Sequence, residues 1–585
     1  MKRKGISIRQ KYSMKYTYLY ILLILCGMPF TQINGQDLSN IGEKDPLKIS
    51  GGISANQVYY GSNSSVSSRD PYSYYLTGRL NLALYGWNIP FSYRYSNQNR
   101  AFQQPFNQFS LSPRYKWIQA HIGYSSMSFS PYTMSGHLFY GLGLEVRPSK
   151  EYEIAVLYGR LKRATTRDTL NPNVEPSYRR MGYGLKATLH KWNGTYEITF
   201  FRSKDDMNSL DSIPAGAEVL PEQNLVVSFK AQKAILQSLS LAFEYAGSGL
   251  TEDLRANTSG VSAPSIFEHS GSLFTPRQSS SYFDAMNMSL NYQFKTTGLA
   301  LRYERVDPGY RTHGAYYFNN DMENITVNAN SALFEQKIHL GFNLGLQRNN
   351  LDDQKASSMN RMVSSVNVGI RPSKKMNVNL SYSNFQSHTH VRTKFEELNR
   401  LSPYENLDTL NFTQISQNAS ANVTYRLPGE GNTSRQISVN GSWQKAASRQ
   451  SDMEEHSGSQ FYSLNTAYSH SVKSIGLSLT AAINMNHSNS DNMRSSIFGP
   501  TASVSKTFFD RALRSAFSVS YNNSYAGSDL NTSVLNARLN NNFTWKKKHR
   551  VGLSLTYMNR SAQLSDQNTL SEFTLRMNYG YSFGR

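Results

Sequence analysis

The sequence predicts an all-β protein, a single large antiparallel transmembrane β-barrel of about 26 strands (22 to 28), on three observations. The first is composition. Only 39% of the 585 residues are hydrophobic and 17% are charged, yet 12% are aromatic, with 38 Tyr and 29 Phe. A mean hydropathy of −0.52 excludes a polytopic helical membrane protein. The charge content lies below the roughly 25% of soluble domains, and the aromatic content argues against disorder. The second observation is a period of two along most of the chain. The third is an alternation of short and long connections. Together they describe a wall with one face in lipid and the other in water.

The N-terminus comes first. Lys2, Arg3, Lys4, Arg9, Lys11 and Lys15 precede an apolar run from Tyr18 to Phe30, followed by Ile33-Asn34-Gly35-Gln36. A basic region, a short apolar core and a small residue before Gln36 predict a secretory signal peptide over residues 1–35. Its core is too short for a comfortable span. A short periplasmic segment, 36–46, would follow, then the barrel over 47–585. Cutting there removes six positive charges from a formal +21, leaving 55 basic residues against 40 acidic ones, a net +15. Cys26 leaves with the signal peptide, and Leu25 before it is not the small residue a lipoprotein needs. The mature chain then has no thiol for disulfides, catalysis or metal.

The strands follow. Phe573, Leu575, Met577, Tyr579, Tyr581 and Phe583 alternate with Glu572, Thr574, Arg576, Asn578, Gly580 and Ser582. Leu340 to Leu346 and Met376 to Tyr382 alternate in the same way. Successive strand side chains point to opposite faces, so each segment has one apolar and one polar side. Tight turns are expected around Trp87–Pro90, Lys116, Pro148–Glu151, Lys191–Gly194, Pro372–Lys375 and Lys546–His549. Longer polar stretches fall at Ser62–Tyr72, Ala164–Ser177, Asp205–Pro221, Thr251–Ser279 and His390–Asp408. That asymmetry fits short periplasmic turns and long extracellular loops. The segments near Asn107–Phe129 and Asn320–Leu333 read ambiguously. Open edges are intolerable in lipid, so the sheet must close, with a diameter of roughly 45–55 Å.

Two turns share their chemistry, Arg147-Pro148-Ser149-Lys150-Glu151 and Arg371-Pro372-Ser373-Lys374-Lys375. With the cut before Gln36 and the Tyr/Asn/Ser-rich strands, they resemble outer-membrane β-barrels of the Bacteroidota type. Asp45-Pro46-Leu47-Lys48-Ile49-Ser50-Gly51-Gly52 and Ser128-Phe129-Ser130-Pro131-Tyr132-Thr133 look like a recurring N-terminal stretch of such barrels. The likeness is also to a TonB-dependent-receptor barrel without a plug, because alternation begins by Leu47. It implies residence in the outer membrane of a Gram-negative bacterium and brings no catalytic or ligand motif. The chain departs from the common pattern by ending Phe583-Gly584-Arg585 rather than on an aromatic residue.

Several residues are candidates for function. Arg79, Glu145, Arg147, Glu153, Glu572 and Arg576 fall on polar strand faces, where they would line the lumen or pair with one another. Charges facing lipid at the midplane would cost roughly 2–4 kcal/mol. Trp192 and Trp545 sit beside tight turns, where aromatic girdles meet the interface. Asp168-Thr169-Leu170, Asp211-Ser212-Ile213 and Asp408-Thr409-Leu410 resemble O-glycosylation sites at Thr169, Ser212 and Thr409 in outer loops. His388, His390 and Glu396-Glu397, Glu454-Glu455-His456, and Asp352-Asp353 lack the spacing of a metal site, so no metal or other cofactor is expected. No G-x-S-x-G elbow opens a helix, and lysines and arginines do not cluster with stacking aromatics. Catalysis and nucleic-acid binding are therefore not expected.

These observations point to a conduit, a porin-like or polypeptide-translocating pore with its lumen partly occluded by loops. A surface scaffold or adhesin-like barrel, acting in an outer-membrane complex through the loops at Asp205–Pro221 and Thr251–Ser279, is the alternative. A barrel hydrolase comes third. Expected partners are membrane lipid, lipopolysaccharide and a possible outer-membrane or cell-surface protein.

Overall fold

In the computed structural model the described residues are 47–584, less 65–69, 98–106, 166–175, 211–218, 317, 353, 355–359, 389–412, 430, 449–456, 491–492 and 563–568. The signal peptide, the 36–46 segment and Cys26 fall outside them. Contacts divide the chain after Lys48, and the unit from Ile49 to Arg585 holds the fold.

That unit is one closed antiparallel barrel. Its β segments run from Leu47–Ser62 to Leu570–Phe583. Gln108–Leu111 and Arg114–Tyr115 form a single interrupted strand, both lying between Trp87–Ser96 and Ile118–Ser128. The barrel therefore has 26 strands. Pro113 lacks the N–H that would continue the ladder, which is why the stretch near Asn107–Phe129 read ambiguously. The one near Asn320–Leu333 is a regular strand, Met322–Leu333. Closure comes from the first and last strands, which pair from Gly51 with Phe583 to Ser62 with Glu572.

Alternation places the faces. Ile53, Tyr59, Leu299, Leu301, Ile325, Val327, Ile483, Met485, Phe573, Met577 and Tyr579 all stand exposed on the outer wall. Their sequence neighbours Ser54, Asn324, Asn484 and Asn578 turn inward. Strands of 10 to 17 residues exceed or match the roughly 9–11 that a tilted strand needs to cross lipid.

Short turns gather at one end and longer connections at the other. Trp192-Asn193 and Lys546-Lys547 each carry two consecutive positive φ values, 53° and 56°, then 50° and 57°. Two such residues make the primed turns whose twist matches a hairpin. The first expected turn is shifted: it falls at Tyr85-Gly86, with φ of 45° and 85°, and Trp87 already begins the next strand. Glycine tolerates that φ without a Cβ penalty. The two Arg-Pro-Ser-Lys turns are one structural module. Glu151 N–H donates to Ser149 Oγ at 3.1 Å and Lys375 N–H to Ser373 Oγ at 3.2 Å. The arginine of each reaches six residues on, Arg147 to Glu153 at 3.1 Å and Arg371 to Asn377 at 3.2 Å.

The long–short alternation weakens toward the C-terminus. Strands Leu477–Ser490 and Met493–Phe508 are separated by two residues, and Gly527-Ser528 alone joins Leu513–Ala526 to Asp529–Trp545. Those strands are 14 to 17 residues long, so hairpin pairing itself occupies the length that loops take elsewhere.

Candidate functional site in the barrel lumen

The inner wall is not uniform. From Ile118–Ser128 to Thr297–Val306, many strands lose their alternation and are apolar on both sides. Phe139, Ala155, Leu157, Leu161, Phe201, Val226, Ala246, Ala285 and Val306 are all buried inward. What covers them is a pair of loops.

The connections 129–134 and 307–321 fold into the lumen and meet. Met134 pairs in parallel with Gly314. Ser135 N–H donates to Gly314 O at 2.8 Å, and the Thr312 hydroxyl donates to Thr133 O. Approach is so close at Gly314 that a Cβ there would lie 2.3 Å from Thr133 O. Tyr310, wholly buried, donates its hydroxyl to Tyr132 O at 2.8 Å and packs with Phe129, Tyr132, Met134 and Phe318. Tyr132 in turn donates to the Glu304 carboxylate on the wall. Burial, and next to it the Glu304 charge, push the Tyr132 phenol well above its ordinary range.

A buried ionic cluster pins the second loop to the wall. Arg180 forks onto Asp205 at 2.6 and 2.8 Å and also donates to Glu222. Glu222 takes Arg311 from the loop as well. The Ser203 hydroxyl lies 2.7 Å from His313 Nδ1, and His313 Nε2 lies 3.2 Å from Glu222, off line for a hydrogen bond. Asn224 accepts from His313 N–H and donates to Arg311 O. A serine, a histidine and a carboxylate in line have the outline of a hydrolytic triad. Here Ser203 has no exposed surface, so its Oγ meets no substrate, and the three residues act as a dock.

Burial, and then the Arg180 charge, pull the His313 pKa from 6.5 down to about 4, so the imidazole is neutral in the dock. Burial pushes Glu222 up, but His313, Arg180 and Arg311 outweigh it and hold the carboxyl well below its usual range. The neutral histidine is therefore favoured in the docked state. That contribution is complete above pH 6.5 and disappears as pH falls toward 4, where the undocked loop takes up a proton first. The groups facing His313 are Ser203, Asp205, Arg180, Glu222, Arg311 and Asn224. Acidification from pH 7 to 4 should weaken docking by about 3 kcal/mol. The expected readout is faster hydrogen exchange in 307–321, corrected for intrinsic rates, with the step missing in His313→Gln. An unchanged profile in the parent protein would contradict it.

The six sequence-selected charges share the inward face in two groups. Glu145, Arg147 and Glu153 form one ion-paired group near the short-turn end, with Arg147 3.5 Å from Glu145 and 3.1 Å from Glu153. His121 is 3.0 Å from Glu145 and Lys186 3.8 Å from Glu153. Glu572 accepts from Tyr60 at 2.6 Å, while Arg576, on the strand of Glu572, and Arg79 flank the strand Leu47–Ser62 on either side. Trp192 and Trp545 are exposed at short turns, with Lys191 and Lys546 over their rings at 5.8 and 5.0 Å. Thr169, Ser212, Thr409, His390, Glu396, Glu397, Glu454, Glu455, His456 and Asp353 fall outside the described residues, as does the His388 side chain. Among the described residues no group of three His, Cys, Asp or Glu is placed to hold a metal.

The rest of the inner wall is polar and bears no comparable apolar layer among the described residues. Asn422, Asn440, Asn465, Asn484 and Thr501 form one amide ladder across five adjacent strands. The connection after Thr251 behaves differently again. Its Phe267 and Phe274 pack on Leu225, Val227 and Tyr282, the faces opposite Val226 and Phe283.

A closed barrel of 26 antiparallel strands with an apolar outside and a polar, loop-bearing lumen is a barrel of the outer-membrane type. No protein-family model matches the chain, and no curated protein does. Among solved structures it is similar to the siderophore receptor PirA from Pseudomonas aeruginosa, at 10% identity over 91% of this chain and 80% of that one, TM-score 0.39. The FrpB iron transporter from Neisseria meningitidis (F5-1 variant) aligns over 91% of this chain and 82% of its own, at 9% identity and TM-score 0.37. The translocation pore of the P pilus usher PapC aligns over 92% and 100%, at 10% identity and TM-score 0.37. Similarity at this level carries no functional argument.

Proposed function

We propose that this protein is an outer-membrane conduit, non-enzymatic, whose lumen is narrowed on one side by its own loops. One observation carries the reading: loops 129–134 and 307–321 are docked against a single sector of the inner wall. The opposite sector presents amides, hydroxyls and arginines to the lumen. A barrel built only to display outer loops gains nothing from a polar wall that no described loop covers, whereas a solute path needs one. Its surroundings are membrane lipid and lipopolysaccharide. Arg160 supports this, standing on the outer face between Tyr124 and Tyr140, 3.0 Å from the Tyr124 hydroxyl and 5.0 Å from the Tyr140 ring centre.

Planar-bilayer recording tests the reading. The purified barrel should give discrete conductance steps, and replacing 308–319 with a short Gly-Ser linker should enlarge them. Absence of conductance in both proteins would overturn the conduit. A stable protein partner bound through the Phe267–Phe274 loop would then favour the scaffold.

A further inference from the structure

We infer that the lumen holds a binding site for a multivalent anionic solute, one carrying phosphate or carboxylate groups, in an arginine-flanked trough across the barrel's closure. This deepens the conduit reading by naming the class of solute, and it stands on different residues from the docked loops.

The trough begins with register. Arg550 is opposite Gly580, and Gly580 is opposite Ser54. The Ser54 and Thr77 hydroxyls are 2.6 Å apart, and Thr77 is opposite Arg94. One transverse row therefore runs Arg550, Gly580, Ser54, Thr77, Arg94 over five neighbouring strands. At about 4.8 Å per strand the two terminal arginines stand about 19 Å apart along the wall. Arg79, one inward position nearer the short-turn end, lies opposite Ser92 within that span. The floor is made of small residues, Gly52, Ser54, Gly580 and Ser582. Together these residues bound a cavity of about 660 Å³.

Its charge is one-sided. The strands from His549–Ala562 round through the closure to Arg114–Tyr115 contain six arginines: Arg79, Arg94, Arg114, Arg550, Arg560 and Arg576. By alternation all six are on the inward side. The same strands contain a single carboxylate, Glu572. That residue is opposite Ser62 at the long-loop end and is taken by Tyr60. No carboxylate lines the cavity, and none of the described ones pairs with Arg79 or Arg550. In the sector that carries the docked loops, basic residues are met by acids, as at Arg147, Arg180 and Arg302.

Guanidinium groups are planar, permanently charged and suited to two-point contact with phosphate or carboxylate oxygens. Three of them around a floor of glycine and serine make a surface that an extended polyanion fits. Hydroxyls of Ser54, Thr77, Ser92 and Ser110 supply further donors along it.

Isothermal titration of the intact barrel in detergent with inorganic tripolyphosphate tests the site without requiring conduction. The parent should bind, and added salt should weaken binding. Joint Arg79→Gln, Arg94→Gln and Arg550→Gln changes should lower affinity by at least about tenfold. Arg560→Gln, outside the trough, should leave it unchanged, and Arg94→Gln alone should give an intermediate loss if the triple variant fails to fold. No binding by the parent, or equal affinity in the parent and the variants, would overturn the site. Binding without conductance would uphold the anion site and remove the conduit.

Discussion

Replacing Arg180 with alanine should free loop 307–321 from the wall, because Asp205 loses its cation and Glu222 is left with Arg311, which belongs to the loop itself. Asp205 is 5% exposed and takes two bonds from Arg180, while Glu222 takes a third. Removing one partner from a buried ion pair costs about 3–5 kcal/mol, because the remaining charge stays desolvated. The loss should be local. The wall's backbone ladder is independent of this cluster, so the barrel stays closed while the loop opens. Limited proteolysis should then cut at Arg311 in the variant and spare the parent. Restoring neutrality with Asp205→Asn and Glu222→Gln in the Arg180→Ala background should return much of the protection. A variant as resistant as the parent would show that the ionic cluster does not hold the loop.

Tyr310→Ala should produce a comparable release through different physics. Tyr310 has no exposed surface, sits inside the apolar cluster of both loops, and bonds to Tyr132 O. Truncating a large buried aromatic costs about 3–5 kcal/mol through lost transfer energy and the cavity left behind. Both loops should respond together, since Met134 and Gly314 are paired. Hydrogen exchange should rise in 129–134 as well as 307–321. Tyr310→Phe removes only the hydroxyl and should cost about 1 kcal/mol. Exchange rising in one loop alone would break the claim that they form a unit.

The barrel was legible from sequence because its signal is local. Alternation in segments such as Phe573–Phe583 follows from two faces meeting two solvents, and the strand number follows from counting them. The placement of Arg79 and Glu572 came from the same parity. The docked loops were not legible, because their contacts join distant parts of the chain. Ser203 and His313 are 110 positions apart, and Tyr310 and Tyr132 are 178, so no spacing motif marks them. A fainter signal was present. Leu225-Val226-Val227, Phe200-Phe201 and Ile154 to Leu157 are apolar on consecutive residues, which a strand between lipid and water has no reason to be. Aromatic and apolar residues such as Phe129, Tyr132, Met134 and Tyr310 in the connections that cover them point the same way. The trough was hidden for a related reason. Arg79 and Arg550 become neighbours only when the two ends of the sheet join.

That last fact makes the closure more than a boundary. The floor of the trough is shared by the barrel's first and last strands, through Ser54 and Gly580. Before these strands meet, its arginines belong to opposite margins of an open sheet and no cleft exists. A solute that settles there bridges both margins. It thereby adds RT ln(1 + [L]/Kd) to the stability of the joined form. The cargo site then acts as a clasp, tightest in a barrel that has finished assembling.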